Sequence, residues 1–128
     1  MDHKLMALGL ALTYPDQAFD EAEPDAHDLT RTVVAAAAVG QDTSEPVGRL
    51  LTTHPYLNEW VHLVLEDVDM RPPHLRNAVT RGHEPLLGDA DPIAERYVCP
   101  VDGFSWYRPS AARPVPSCPF GGHALQKA

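Results

Sequence analysis

The chain is short of sulfur, of lysine and of long apolar runs. Only two cysteines occur among 128 residues. That excludes a disulfide-dense secreted scaffold, and in a reducing compartment such thiols more often bind metal than pair. No run approaches the roughly 20 apolar residues needed to span a bilayer. The longest, residues 33–39, is mostly alanine. The start, Met1-Asp2-His3-Lys4, lacks a basic n-region and a cleavage-like site. No secretory leader is therefore expected, and a cytoplasmic location is. Two lysines stand against eight arginines among plentiful alanine; this coding bias points to a GC-rich bacterial genome. The usual catalytic signatures are missing too. The chain has no Gly-x-Ser-x-Gly elbow, no phosphate-cradling glycine loop, no His-Glu-x-x-His and no His-x-Glu…Pro-Cys-x-x-Cys.

Acidic charge and proline are abundant. The net charge is −8, and it is uneven: residues 1–95 carry −11 and residues 96–128 carry +3. The acidic part repels nucleic acid and anionic membrane. The tail holds four dispersed cations, a weak footprint for an anionic polymer. Thirteen prolines cut the chain into short pieces, which fits one small domain with or without a very small appended one.

Helical periodicity dominates the first half. Leu5, Leu8 and Leu12, with Met6 and Leu10, predict a helix over residues 4–13, stopped by Pro15. Residues 14–24 read as an acidic loop. Residues 25–39 predict a second helix, capped by Asp25, with Leu29, Val33, Ala36 and Ala37 on one face and Gly40 at its end. Thr43 or Ser44 opens a third, carrying Val47, Leu50 and Leu51 inward. His54 is expected to cap the next helix, residues 55–66, whose Leu57, Trp60, Val61, Val64 and Leu65 give the spacing of a core-facing surface. Residues 70–92 read as an irregular connector, in which His74 and His83 flank Arg71, Arg76 and Arg81.

The tail has a different grammar. Tyr97, Cys99 and Val101 alternate on one strand face and Phe104 and Trp106 on another, about the hairpin signal Asp102-Gly103. Each cysteine heads a turn: Cys99-Pro100-Val101-Asp102-Gly103 and Cys118-Pro119-Phe120-Gly121-Gly122-His123. Proline fixes the entry of such a turn, and glycine permits the positive φ that aims backbone N–H groups at a thiolate. Cys99, Asp102, Cys118 and His123 are all legitimate ligands for a tetrahedral ion. Their gaps suit two short loops gripping one ion across a hairpin. Asp-Gly is also a turn sequence without any metal; in that case His83 or a water would complete the shell. The two cysteines alternatively form a thiol pair or a disulfide.

Residues 97–126 resemble the zinc-ribbon and rubredoxin-like knuckle families, whose repeated unit is Cys-Pro-x-Cys-Gly. Cys99, Pro100 and Gly103 match the first knuckle, and Cys118 and Pro119 the second. Asp102 stands where those families have a second cysteine, and His123 falls slightly late. The resemblance implies a structural Zn2+ held by Cys99, Asp102, Cys118 and His123. Iron of the rubredoxin type would want four sulfurs.

The expected architecture is mainly α: a helical domain over residues 1–92 and a zinc-ribbon-like β-hairpin module over 93–128. The expected function is non-enzymatic, an adaptor, inhibitor or regulatory subunit that binds a larger protein. Two other classes stay open. One is nucleic-acid binding through the ribbon, with Phe104, Trp106 and Tyr107 stacking beside Arg108 and Arg113. The other is a metal-dependent hydrolase with an incomplete ligand shell.

Overall fold

Spacing at three and four residues becomes helix throughout the first half of the chain. The computed structural model describes residues 3–67, 70–73, 95–108 and 112–128. Within these, five helices precede a small antiparallel sheet: α1 (His3–Thr13), α2 (Pro15–Ala18), α3 (Ala26–Ala38), α4 (Ser44–Thr53), α5 (Pro55–Leu65), β1 (Glu95–Val98), β2 (Ser105–Arg108) and β3 (Gln126–Lys127). The mainly α expectation holds. The connector histidines His74 and His83, with Arg76 and Arg81, lie outside the described residues, as does the expected boundary at residue 92.

α1 is the hub. Ala7, Leu8, Gly9, Leu10 and Ala11 are all buried, so the helix is covered on every side rather than along one stripe. It packs on α3, α5, α2 and β2. Small residues at positions 7, 9 and 11 let those neighbours approach closely. α4 and α5 bury the faces that the sequence predicts: Val47, Leu50 and Leu51 on one, Leu57, Trp60, Val61 and Val64 on the other.

Four local expectations are corrected. Residues 14–24 are not all loop, because Pro15, at the first helical position, starts the single turn α2. One turn is too short to leave a periodic signal. On α3 the buried residues are Ala26, Thr30, Val33 and Val34, and Leu29 stays 44% exposed. The inward face is thus rotated by about one residue. Asp25 makes no side-chain cap bond to α3. His54 does not cap α5 either. Its Nδ1 lies 3.1 Å from the Leu50 carbonyl, which places the ring proton on Nδ1 and satisfies the end of α4.

The start of α5 is capped from far away. Glu23 accepts the N–H groups of Tyr56 and Leu57 at 3.0 and 3.4 Å. These are orphan donors of the first turn, and the carboxylate also meets the positive end of the helix dipole. At α4 the neighbouring Asp42 takes the Ser44 N–H at 3.0 Å and its hydroxyl at 2.8 Å. Those bonds lower the Asp42 carboxyl pKa.

The sheet order is β2-β1-β3, all antiparallel. Tyr97 lies opposite Trp106 and Val98 opposite Ser105. Residues directly opposite one another share a face, so Trp106 sits with Tyr97, and their rings meet at 5.9 Å. This corrects the expected split of Tyr97 and Trp106 onto different faces. The turn takes up four residues, Pro100 to Gly103, and Val101 leaves the ladder for solvent at 66% exposure.

The sheet lies on the helices. Phe104 and Phe120 meet edge-on at 5.9 Å. Gly9 lets them dock, since a Cβ there would stand 2.6 Å from the Phe120 ring and 3.0 Å from the Phe104 ring. Tyr14 stacks on Trp106 at 6.2 Å, and its hydroxyl donates to the Tyr107 carbonyl. Burial raises the Tyr14 pKa, so the phenol stays protonated and able to donate. Arg113 donates to the Thr13 carbonyl at 2.7 Å and covers the Tyr14 ring. The buried residues of both parts form one continuous cluster.

Candidate metal centre

Two turns of the same construction face each other at one end of the sheet. In the first, the Cys99 N–H donates to the Phe104 carbonyl at 2.8 Å, and the Gly103 N–H returns to the Cys99 carbonyl at 3.0 Å. In the second, the Cys118 N–H donates to the His123 carbonyl at 2.8 Å, and the Gly122 N–H returns to the Cys118 carbonyl at 2.7 Å. Gly103 and Gly122 hold the fifth position of each turn at φ +79° and +72°. A side chain is disfavoured there, so glycine at this spacing is a backbone requirement. The sequence-level match of the two Cys-Pro motifs is therefore a match of backbone hydrogen bonds.

The turns bring the four expected residues together. Cys99, Asp102, Cys118 and His123 each offer one ligand atom, and these atoms all lie within 4.8 Å of one another. Around an ion with ligand bonds of about 2.0–2.3 Å, tetrahedral ligand atoms stand roughly 3.3–3.8 Å apart. The group is thus close to binding size and can hold a metal ion by a small contraction. Both thiols are buried, at 1% exposure; Asp102 is intermediate and His123 exposed. The sulfurs face the core and the oxygen and nitrogen donors face the rim.

Hydrogen bonds already orient the donors. The Cys118 thiol donates to the Asp102 carboxylate, with its sulfur 3.2 and 3.4 Å from the two oxygens. The Phe120 N–H points back at the Cys118 sulfur at 3.4 Å. Asp102 Oδ1 also accepts the Phe104 N–H at 3.1 Å, so Asp102 is a turn residue and a member of the cluster at once. Cys99 Sγ lies 3.9 Å from His123 Nδ1. Burial pushes the Cys118 thiol up to about 12, and the adjacent carboxylate adds to the rise against the pull of the Phe120 N–H.

One contributor escaped the sequence reading. A Cβ on Gly121 would stand 2.5 Å from His123 Cε1 and 2.8 Å from Nδ1. The imidazole fills the space that a side chain at position 121 would claim. The signal was present as the doubled glycine before His123, of which only the second meets a φ requirement.

The aromatic residues of the tail pack into the core and present no exposed stacking surface. Phe104, Trp106 and Tyr107 are buried, at 0, 0 and 3% exposure. Arg108 is engaged with the Arg113 carbonyl and the Tyr97 hydroxyl, and Arg113 with Thr13. An apolar groove of about 240 Å3 lies instead between α3 and α4, walled by Leu29, Val33, Pro46 and Leu50. None of the described helices is long and apolar enough to cross a membrane.

Comparison with protein-family models, with curated proteins and with solved structures finds no match to this chain.

Proposed function

We propose that the chain is a non-enzymatic protein-interaction module whose C-terminal sheet is held by a structural zinc ion. The observation that carries this reading is the four-donor cluster on two matched turns. Two thiols, a carboxylate and an imidazole form a donor set typical of zinc, which has no geometric preference of its own and accepts sulfur, nitrogen and oxygen. Four protein donors with both sulfurs buried suit a structural ion, since a catalytic one keeps a position open for water or substrate. The strands are short and share their buried aromatic residues with the helices, and metal binding would add to their folding free energy. Bound zinc supplies cross-linking of Cys99 and Asp102 to Cys118 and His123, and the residues do the rest by orienting the donors.

The interaction part of the reading draws on charge and on the groove. Residues 3–67 carry eleven carboxylates against three cations, which favours a basic partner and its fast, salt-sensitive encounter. Leu29 stands exposed at the groove between α3 and α4.

Metal analysis of protein purified without chelator or tag metal should find one zinc per chain, and none in Cys118→Ser. X-ray absorption should give two sulfur and two lighter ligands. A metal-free wild type would overturn the zinc reading. For the interaction, a stoichiometric partner recovered from the native host should be lost by Leu29→Glu with the melting curve unchanged. A partner kept by Leu29→Glu would put the contact elsewhere on the surface, and no stoichiometric partner at all would count against the module.

A further inference from the structure

The two turns share their backbone bonds but differ in where the second ligand comes from. In the first turn the ligands are Cys99 and Asp102, at positions one and four. In the second they are Cys118 and His123, at positions one and six. Position four of the second turn is Gly121. A Cβ there would overlap the His123 ring at 2.5 Å from Cε1 and 2.8 Å from Nδ1, distances that side chains do not tolerate. The His123 carbonyl is already committed to the Cys118 N–H at 2.8 Å. Its backbone is therefore fixed, and only the imidazole can yield.

We infer that Gly121 is the residue that selects the fourth ligand of the metal site. Having no side chain, it opens the inner lane of the second turn, and the imidazole of His123 reaches the centre from two residues further on. The inference rests on the zinc reading above. It makes Gly121 a positioning residue, since it touches no metal and acts through His123. It also sets the composition of the site. A cysteine at position four would give three sulfurs, whereas glycine followed by histidine gives two sulfurs, one oxygen and one nitrogen, with the nitrogen on the solvent side. Gly122 cannot play this part: its φ of +72° fixes it for the backbone, and a Cβ there would meet nothing within 4 Å.

The test uses the full chain loaded with Co2+ as a spectroscopic probe, with zinc affinity measured by competition against a chromophoric chelator. Wild type should show the intense visible bands of a four-coordinate site. In Gly121→Ala the methyl should expel the imidazole. The bands should weaken as water enters and the coordination number rises, and zinc affinity should fall on the order of 10- to 100-fold, the range for losing an orienting partner. His123→Ala should give the same spectrum, and adding it to Gly121→Ala should cost little more. Gly121→Cys should restore the four-coordinate bands with extra sulfur-to-cobalt charge transfer, and His123→Ala should then be silent. A Gly121→Ala spectrum and affinity equal to wild type would overturn the inference while leaving the zinc reading intact. A wild type that binds neither metal would remove the zinc reading itself. If Gly121→Ala fails to fold, the Gly121→Cys and His123→Ala pair decides alone: a loss from His123→Ala in that background as large as in wild type overturns the inference.

Discussion

The helices and the sheet reach order by different means. The helices bury apolar side chains around α1, and carboxylates close two of their ends, Asp42 beside α4 and the distant Glu23 at α5. The sheet has four residues in each of its two main strands, two in the third, and two turns that bring together four side chains able to hold a metal ion. Where many apolar residues converge, packing alone specifies structure. Where strands are this short, backbone turns and a polar centre contribute as well, with a neighbouring surface to lean on. The two parts meet on Gly9, Tyr14 and Arg113, so the contrast is one of how each is held, not of where each lies.

The sharpest way to break the comparison is to disable the proposed metal centre. Cys118→Ser, or chelation of wild type, should cost the sheet most of its stability. Structural zinc sites in peptides are worth on the order of 10 kcal/mol, and packing on α1 should recover part of that. Limited proteolysis should cut residues 95–128 while the helical far-UV signal persists. Loss of the whole helical signal at the same point would show that the helices depend on the centre as the sheet does. Trp60→Ala attacks the other side. It empties a large core side chain that is 6% exposed and should cost about 3–5 kcal/mol. Calorimetry should show that loss with metal stoichiometry unchanged below the transition. A variant that also lost metal would join the two parts.

Smaller changes sharpen the boundary. Gly9→Ala sets a methyl against Phe120 and Phe104 and should cost about 1–3 kcal/mol by overpacking, less the roughly 1 kcal/mol that alanine gains in a helix. The melt should shift down while the Co2+ spectrum stays, because the clash falls on the rings of Phe120 and Phe104 and not on the four donor groups. An upward shift would mean that the rings slide aside freely. Glu23→Ala removes the remote cap of α5 and should cost about 1 kcal/mol, read as a lower urea midpoint with an unchanged slope. No change would make the bonds to Tyr56 and Leu57 incidental.

Much of this was legible in the sequence, for reasons that differ by element. α4 and α5 declare their inner faces through Val47, Leu50, Trp60 and Val64 because helical period and burial coincide. The two cysteine turns declare themselves because positive φ restricts Gly103 and Gly122. Glu23 was invisible as a cap because its partners lie more than thirty residues on, and cap rules are local. Leu29 was misread because α3 is alanine-rich, and small residues leave the inward direction undecided. Trp106 was placed apart from Tyr97 because the alternation was followed along each strand separately, without the cross-strand register that sets the two opposite each other. The doubled glycine at 121 and 122 stands in the sequence, but the space that Gly121 leaves exists only once His123 is folded back.

Trp106 carries a consequence of another kind. It is fully buried, stacked on Tyr14 from the helices and against Tyr97 in the sheet, and its indole N–H has no hydrogen-bond partner among the described residues. An indole so dry emits towards the blue, and two phenols with ring centroids at 6.2 and 5.9 Å can pass it their excitation. Energy absorbed by a tyrosine of the helical half can therefore leave as light from the sheet. The chain carries its own optical gauge of whether the two halves are touching.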